Sequence, residues 1–284
     1  MNFVTCNLIG PSGFLGFPNY GLGNQMFQIA TAISYAKENN IKAIFPMLKN
    51  RERYGNYTDN IFKNLNLTEF DESEIEIEFH QPSFTYCEIP KSRKIRLHGY
   101  FQTEKFFISN KKLIDDYFQP DELTKNYIKE KYANILEDSI SIHLRFGDYI
   151  KLKKHHPLLS LTNYYENIVK KNKRKNILVF SDDINAAKKV KILKKYNTIF
   201  MEGESEIIDM YTMSLCNDNA IANSTFSWWG AWLNRNPNKT VYYPKIWFGP
   251  KLKHYKTIDL FPESWEKIDC KYNSKFKSFF NNQN

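Results

Sequence analysis

The 284-residue chain has few cysteines, glycines or prolines and no long apolar run, and each shortage excludes a class. Its four cysteines, Cys6, Cys87, Cys216 and Cys270, lie far apart with no CxxC pair. That excludes a disulfide framework or a cysteine-rich zinc module and fits reduced thiols. Eleven glycines and eleven prolines are too few for a fibrous or linker-like chain. No stretch approaches the ~18 apolar residues of a membrane span. The N-terminus has no basic segment followed by an apolar one, so no secretory signal is expected, and the sequons at Asn56, Asn66 and Asn223 carry no weight. A cytoplasmic protein is expected, at most peripheral at the inner face of a membrane. No His/Asp/Glu cluster has a metal-binding spacing, so neither a metal nor a cofactor is expected.

Charge is present but uneven. Residues 1–138 carry 16 basic and 18 acidic side chains, whereas residues 139–284 carry 24 and 13. Any polyanion, or a membrane surface, therefore belongs to the second half. The cluster Lys170-Lys171-Asn172-Lys173-Arg174-Lys175 looks like a nucleic-acid patch, yet no nucleic-acid module surrounds it, so no nucleic-acid partner is expected. Solvated helix faces account for most of the lysines.

Hydrophobic periodicity gives a coarse map. A short strand starts at Phe3, and a loop from Pro11 to Tyr20 leads into Gly21-Leu-Gly-Asn-Gln25. Met26, Ile29, Ala30, Ile33 and Ala36 then share one face of a helix. An edge strand or solvated hairpin is expected within 69–79, a strand at 95–102, and helices over 103–117 and 121–136. Beyond 138, strands at 139–143, 176–180, 198–201, 220–222 and 240–243 alternate with helices, as in a parallel, doubly wound sheet. Two α/β domains, 1–138 and 139–284, follow. Trp228 and Trp229 read as core packing.

Four loops fall at the carboxyl ends of these strands, the ligand edge of an open α/β sheet. Arg145 follows a buried strand and needs an anionic partner, either Asp148 or a bound phosphate. His143 fits a structural histidine or a site residue. Asp182 and Asp183 fit helix caps, nucleoside contacts or a metal pair. Ser224 and Thr225 offer a plain N-cap or a phosphate-binding helix start. Two glycines before Asn24 allow close approach to free N–H groups.

Five blocks carry a resemblance: Gly21-Leu-Gly-Asn-Gln-Met-Phe-Gln28, Gly99-Tyr-Phe-Gln102, His143-Leu-Arg-Phe-Gly-Asp-Tyr149, Phe180-Ser-Asp-Asp183 and Asn223-Ser-Thr-Phe-Ser-Trp-Trp-Gly-Ala231. In this order they resemble glycosyltransferase family 11, the α-1,2-fucosyltransferases. The resemblance implies a GT-B fold, with two Rossmann-like domains and a donor/acceptor cleft between them. It implies inverting, metal-independent transfer of L-fucose from GDP-β-L-fucose to the 2-hydroxyl of a terminal galactose on an oligosaccharide or glycolipid. Arg145 would grip the donor pyrophosphate with His143 and Asp148. Asp182 and Asp183 would contact the nucleoside, and Asn223, Ser224, Thr225 and Phe226 would hold phosphate and guanine. Gly23, Asn24 and Gln25 would face the acceptor, with Asn24, Arg145 and Asp148 closest to the chemistry. Phe146 stands where the family motif has a second arginine, and the Pro11–Tyr20 loop is unusual. A different acceptor or linkage, or a binding protein without catalysis, are the alternatives.

Overall fold

The computed structural model describes residues 1–6, 21–46 and 57–272, so the Pro11–Tyr20 loop and the polar C-terminal tail lie outside the described residues. The chain divides into two α/β units, the first comprising Met1–Asp121 and Lys256–Pro262, the second Glu122–Tyr255 and Glu263–Asn284.

The first unit contains β1 (Phe3–Cys6), α1 (Leu22–Asn39), β2 (Lys42–Ala43), β3 (Ile77–His80), β4 (Lys94–His98) and α2 (Lys111–Phe118). Its parallel sheet has the order β2-β1-β4-β3. The fully buried β1 and the alternately buried β4 follow from their positions inside the sheet, while β3 is the expected edge strand with Glu78 and His80 outward. Helix α1 ends on Asn40 in the left-handed region, whose N–H satisfies the Ala36 carbonyl.

The second unit begins with α3 (Glu122–Leu136), β5 (Ser139–Leu144), α4 (Tyr164–Lys171), β6 (Asn176–Ser181) and α5 (Ile184–Ala187). It continues through β7 (Thr198–Phe200), α6 (Glu206–Leu215), β8 (Asp218–Ala220), α7 (Thr225–Trp232), β9 (Val241–Pro244) and β10 (Glu266–Ile268). The boundary thus falls at 121 instead of 138, because Tyr132, Ile135 and Leu136 of α3 pack on Leu178 and Phe180 of β6.

All six strands are parallel in the order β10-β9-β8-β5-β6-β7. Every residue of β5 is buried, the continuous burial expected of a central strand covered on both faces. Ile140, Ile142 and Leu144 share one core with Ile177 and Val179, and Leu178 and Phe180 form a second with Met213 and Cys216. Each such side chain contributes roughly 1.5–3 kcal/mol on burial. Among the described residues, no helix is long and apolar enough to cross a membrane.

Candidate active site

Starting from β5, the chain winds outward to β6 and β7, then returns to the other side of β5 for β8, β9 and β10. The winding reverses between β5 and β8, which pair through Ile140↔Asp218 and Ile142↔Ala220. Loops leaving the carboxyl ends of two such strands diverge and open a crevice, the usual ligand position in doubly wound sheets. The loop after β5 carries Arg145 and Asp148, and the loop after β8 carries Asn223, Ser224 and the start of α7.

Arg145 is held from two sides. Its Nη2 donates to Asp148 Oδ1 at 2.7 Å and its Nη1 lies 3.0 Å from Asp182 Oδ2. The guanidinium also sits over the Tyr149 ring, 5.5 Å from its centroid. Burial opposes its charge, but Asp182, then Tyr149 and Asp148, hold its pKa above the ordinary arginine value. About a third of the side chain remains exposed (32%), so the cation is ordered and still reachable. Asp182 does a second task, accepting the Phe146 N–H at 2.8 Å. Gly147 fits beneath it: a Cβ there would meet Asp182 Oδ2 at 2.3 Å, and its φ of +21° is already strained for other residues. Asp183 instead caps α5, accepting the Ala186 N–H at 2.9 Å.

His143 is buried at 3% exposure, and its Nδ1 has no hydrogen-bond partner among the described residues. Burial, reinforced by Arg145, lowers its pKa to about 3, so the imidazole is neutral. Its ring lies 5.6 Å from that of Phe226, joining the two loops. His156, stacked on Tyr149 at 4.6 Å, is lowered to about 4, mainly by burial.

Ser224 is the N-cap residue of α7, but its side chain makes no cap hydrogen bond. Asn223 holds the loop: its amide donates to the Pro157 and Trp247 carbonyls, both at 3.1 Å. Thr225 and Phe226 open the helix, and Trp228 and Trp229 are buried, as expected of core residues. The α7 N-terminus supplies positive potential, as any helix start does.

In the first unit, the corresponding reversal lies between β1 and β4. The turn after β4, Gly99–Gln102, meets the start of α1: Gln102 Nε2 donates to Asn24 Oδ1 at 2.8 Å, and Gln28 Nε2 to the Gly99 carbonyl at 2.8 Å. Gln81 shapes the turn by accepting the N–H groups of Tyr100 and Phe101 at 3.1 and 2.9 Å. Gly23 and Gln25 are buried beside Asn24 in the first turn of α1.

Four of the five sequence blocks thus follow the carboxyl ends of β4, β5, β6 and β8, and the fifth opens α1. A family profile described as Glycosyl transferase family 11 matches residues 17–268. The chain belongs to that family. An α-1,2-colitosyltransferase of Escherichia coli is 30% identical over 283 residues, covering 88% of this chain and 96% of the relative. The O-antigen biosynthesis glycosyltransferase WbnK of Escherichia coli is 34% identical over 187 residues, covering 61% of this chain and 62% of the relative. The crystal structure of fucosyltransferase NodZ from Bradyrhizobium shares the fold at 13% identity and a TM-score of 0.50, covering 81% of this chain and 91% of that one.

Three features of this glycosyltransferase escaped linear reading. Phe146, where the family motif has an arginine, is buried in the core beside Tyr149 and Leu144. The basic cluster at 170–175 is partly neutralised, with Lys170 on Glu166, Lys171 on Glu266 and Arg174 on Asp218 and Asp138. Parallel pairing also gathers Glu78, His80 and His98, whose ligand atoms lie within 4.8 Å of one another. The signal was Glu78-x-His80, a spacing of two that puts both side chains on one face of a strand.

Proposed function

We propose that the enzyme transfers L-fucose from GDP-β-L-fucose, with inversion and without a metal, to the 2-hydroxyl of a terminal galactoside. The observation that carries this reading is Arg145, fixed by Asp148 and Asp182 at the sheet reversal, on a loop that Tyr149 ties to the residues opening α7. A cation and a helix N-terminus beside one crevice suit a pyrophosphate. Membership of glycosyltransferase family 11 points the same way. In this reading both units take GT-B roles, the second holding the donor and the Asn24 region of the first serving the acceptor.

The bond from the sugar anomeric carbon to the β-phosphate oxygen breaks, its electron pair leaving with GDP. The acceptor oxygen bonds to the anomeric carbon from the opposite face and gives its proton to a base. Arg145 and the first-turn N–H groups of α7 stabilise the charge growing on the phosphate; one such donor is worth roughly 10²–10³ in rate. Asp148, paired with Arg145 at 2.7 Å, orients that cation.

The colitosyltransferase relative favours a second reading, the same reaction with a GDP-linked colitose donor. The test is incubation with each GDP-sugar and a panel of β-galactosides that includes lactose, in EDTA and in magnesium, followed by linkage analysis. An α-1,2-fucoside formed equally in both buffers supports the proposal. Folded enzyme that yields only colitosylated product favours the second reading. No transfer from either donor overturns both.

A further inference from the structure

We propose that Glu78, His80 and His98 form a binding site for a divalent transition ion of the zinc class, on the first unit and separate from the transfer chemistry. Strands β3 and β4 pair in parallel with His80 opposite His98 and Glu78 opposite Arg96. The alternation of side chains puts all four on one face, while Ile77, Phe79, Ile95 and Leu97 take the other. The two imidazoles stack with centroids 4.3 Å apart and planes 6° from parallel. Glu78 Oε2 lies 3.2 Å from His98 Nε2.

That last distance matches the edge of a zinc coordination tetrahedron. Metal–ligand bonds of about 2.0–2.2 Å place neighbouring ligand atoms roughly 3.3 Å apart. The stacked rings must turn for both imidazoles to meet one ion, and exposed His80 has room to rotate. Two imidazoles and one carboxylate are a donor set that suits zinc, nickel or copper, and magnesium far less. The charged neighbour is Arg96, whose Nη1 lies 3.3 Å from the other Glu78 oxygen. Its Nη2 is taken by Glu72, which offsets its repulsion of a cation.

The site also has a structural consequence. His80 precedes Gln81, and His98 precedes Gly99, the two residues that shape the turn reaching Asn24. An ion there would pin the edge strand and this turn together.

The test is calorimetric titration of the full chain with zinc, nickel and magnesium chlorides after chelator treatment, paired with thermal denaturation. Zinc and nickel are expected to bind at one per chain and magnesium not to bind. Zinc at about a hundred times its dissociation constant should raise the Tm by roughly 5 °C. His80→Ala and Glu78→Gln, both at exposed positions, should lower zinc affinity at least about tenfold while circular dichroism stays native. Absence of zinc binding, equal magnesium binding, or unchanged zinc affinity in both variants would overturn the proposal.

Discussion

The hydroxyl of Tyr149 donates to the carbonyl of Asn223 at 2.8 Å, tying the arginine loop after β5 to the loop after β8. Both partners are buried, so the bond sets the spacing of the crevice walls and is shielded from water. Tyr149→Phe removes the donor and leaves a buried carbonyl unpaired. It should lower stability by about 1–3 kcal/mol. It should also weaken GDP binding, because the ring under Arg145 remains while the α7 start is released. Denaturant unfolding and GDP titration check the two effects.

Gly147 gives a sharper steric case. An alanine Cβ would displace the Asp182 carboxylate, which holds both Arg145 and the Phe146 N–H. Gly147→Ala is therefore expected to cost about 1–3 kcal/mol from backbone strain and lost contacts, and to weaken GDP binding. A variant with wild-type stability and wild-type GDP affinity would show that Asp182 has room to move.

The alternating pattern beyond residue 138 made the second sheet legible, and a buried strand ending in Arg145 made the ligand edge legible too. What the pattern did not carry was depth. Asp182 and Asp183 are equivalent in sequence, yet one faces Arg145 and the other caps α5, a difference set by where β6 ends. Asn223 reads as a ligand-loop residue, but its amide is consumed by carbonyls far away in sequence. The short β10 was not expected, because three residues supply too little periodicity. The placement of α3 in the second unit depends on packing against β6, which no local signal records.

Acid should destabilise the enzyme through His143. Its folded pKa, about 3, lies below the ordinary histidine value of 6.5 because of burial and Arg145. The unfolded chain therefore binds more protons between these values. The contribution is fully present above about pH 6.5 and is lost as pH falls toward 3. The Tm of the wild type should drop across this window, and His143→Gln should flatten the slope. Equal slopes for the two proteins would rule out this assignment.

Asn24 and Gln102 lie in the first unit, joined at 2.8 Å, and in the proposed mechanism serve the acceptor. Gln102→Ala should reduce the transfer rate about tenfold or more by removing the donor that orients the Asn24 side chain, while GDP affinity stays at the wild-type value. A matched loss of GDP affinity would instead place this pair on the donor. Steady-state kinetics with varied acceptor, alongside GDP titration, separates the outcomes.

The central claim is that Arg145 binds the donor phosphates, and the most direct measurement is calorimetric titration of GDP into wild type and Arg145→Ala. A hydrogen-bonded charge pair is worth about 1.5–3 kcal/mol, so affinity should fall roughly ten- to a hundredfold in a variant that remains folded. Undiminished GDP affinity in folded Arg145→Ala would contradict the account.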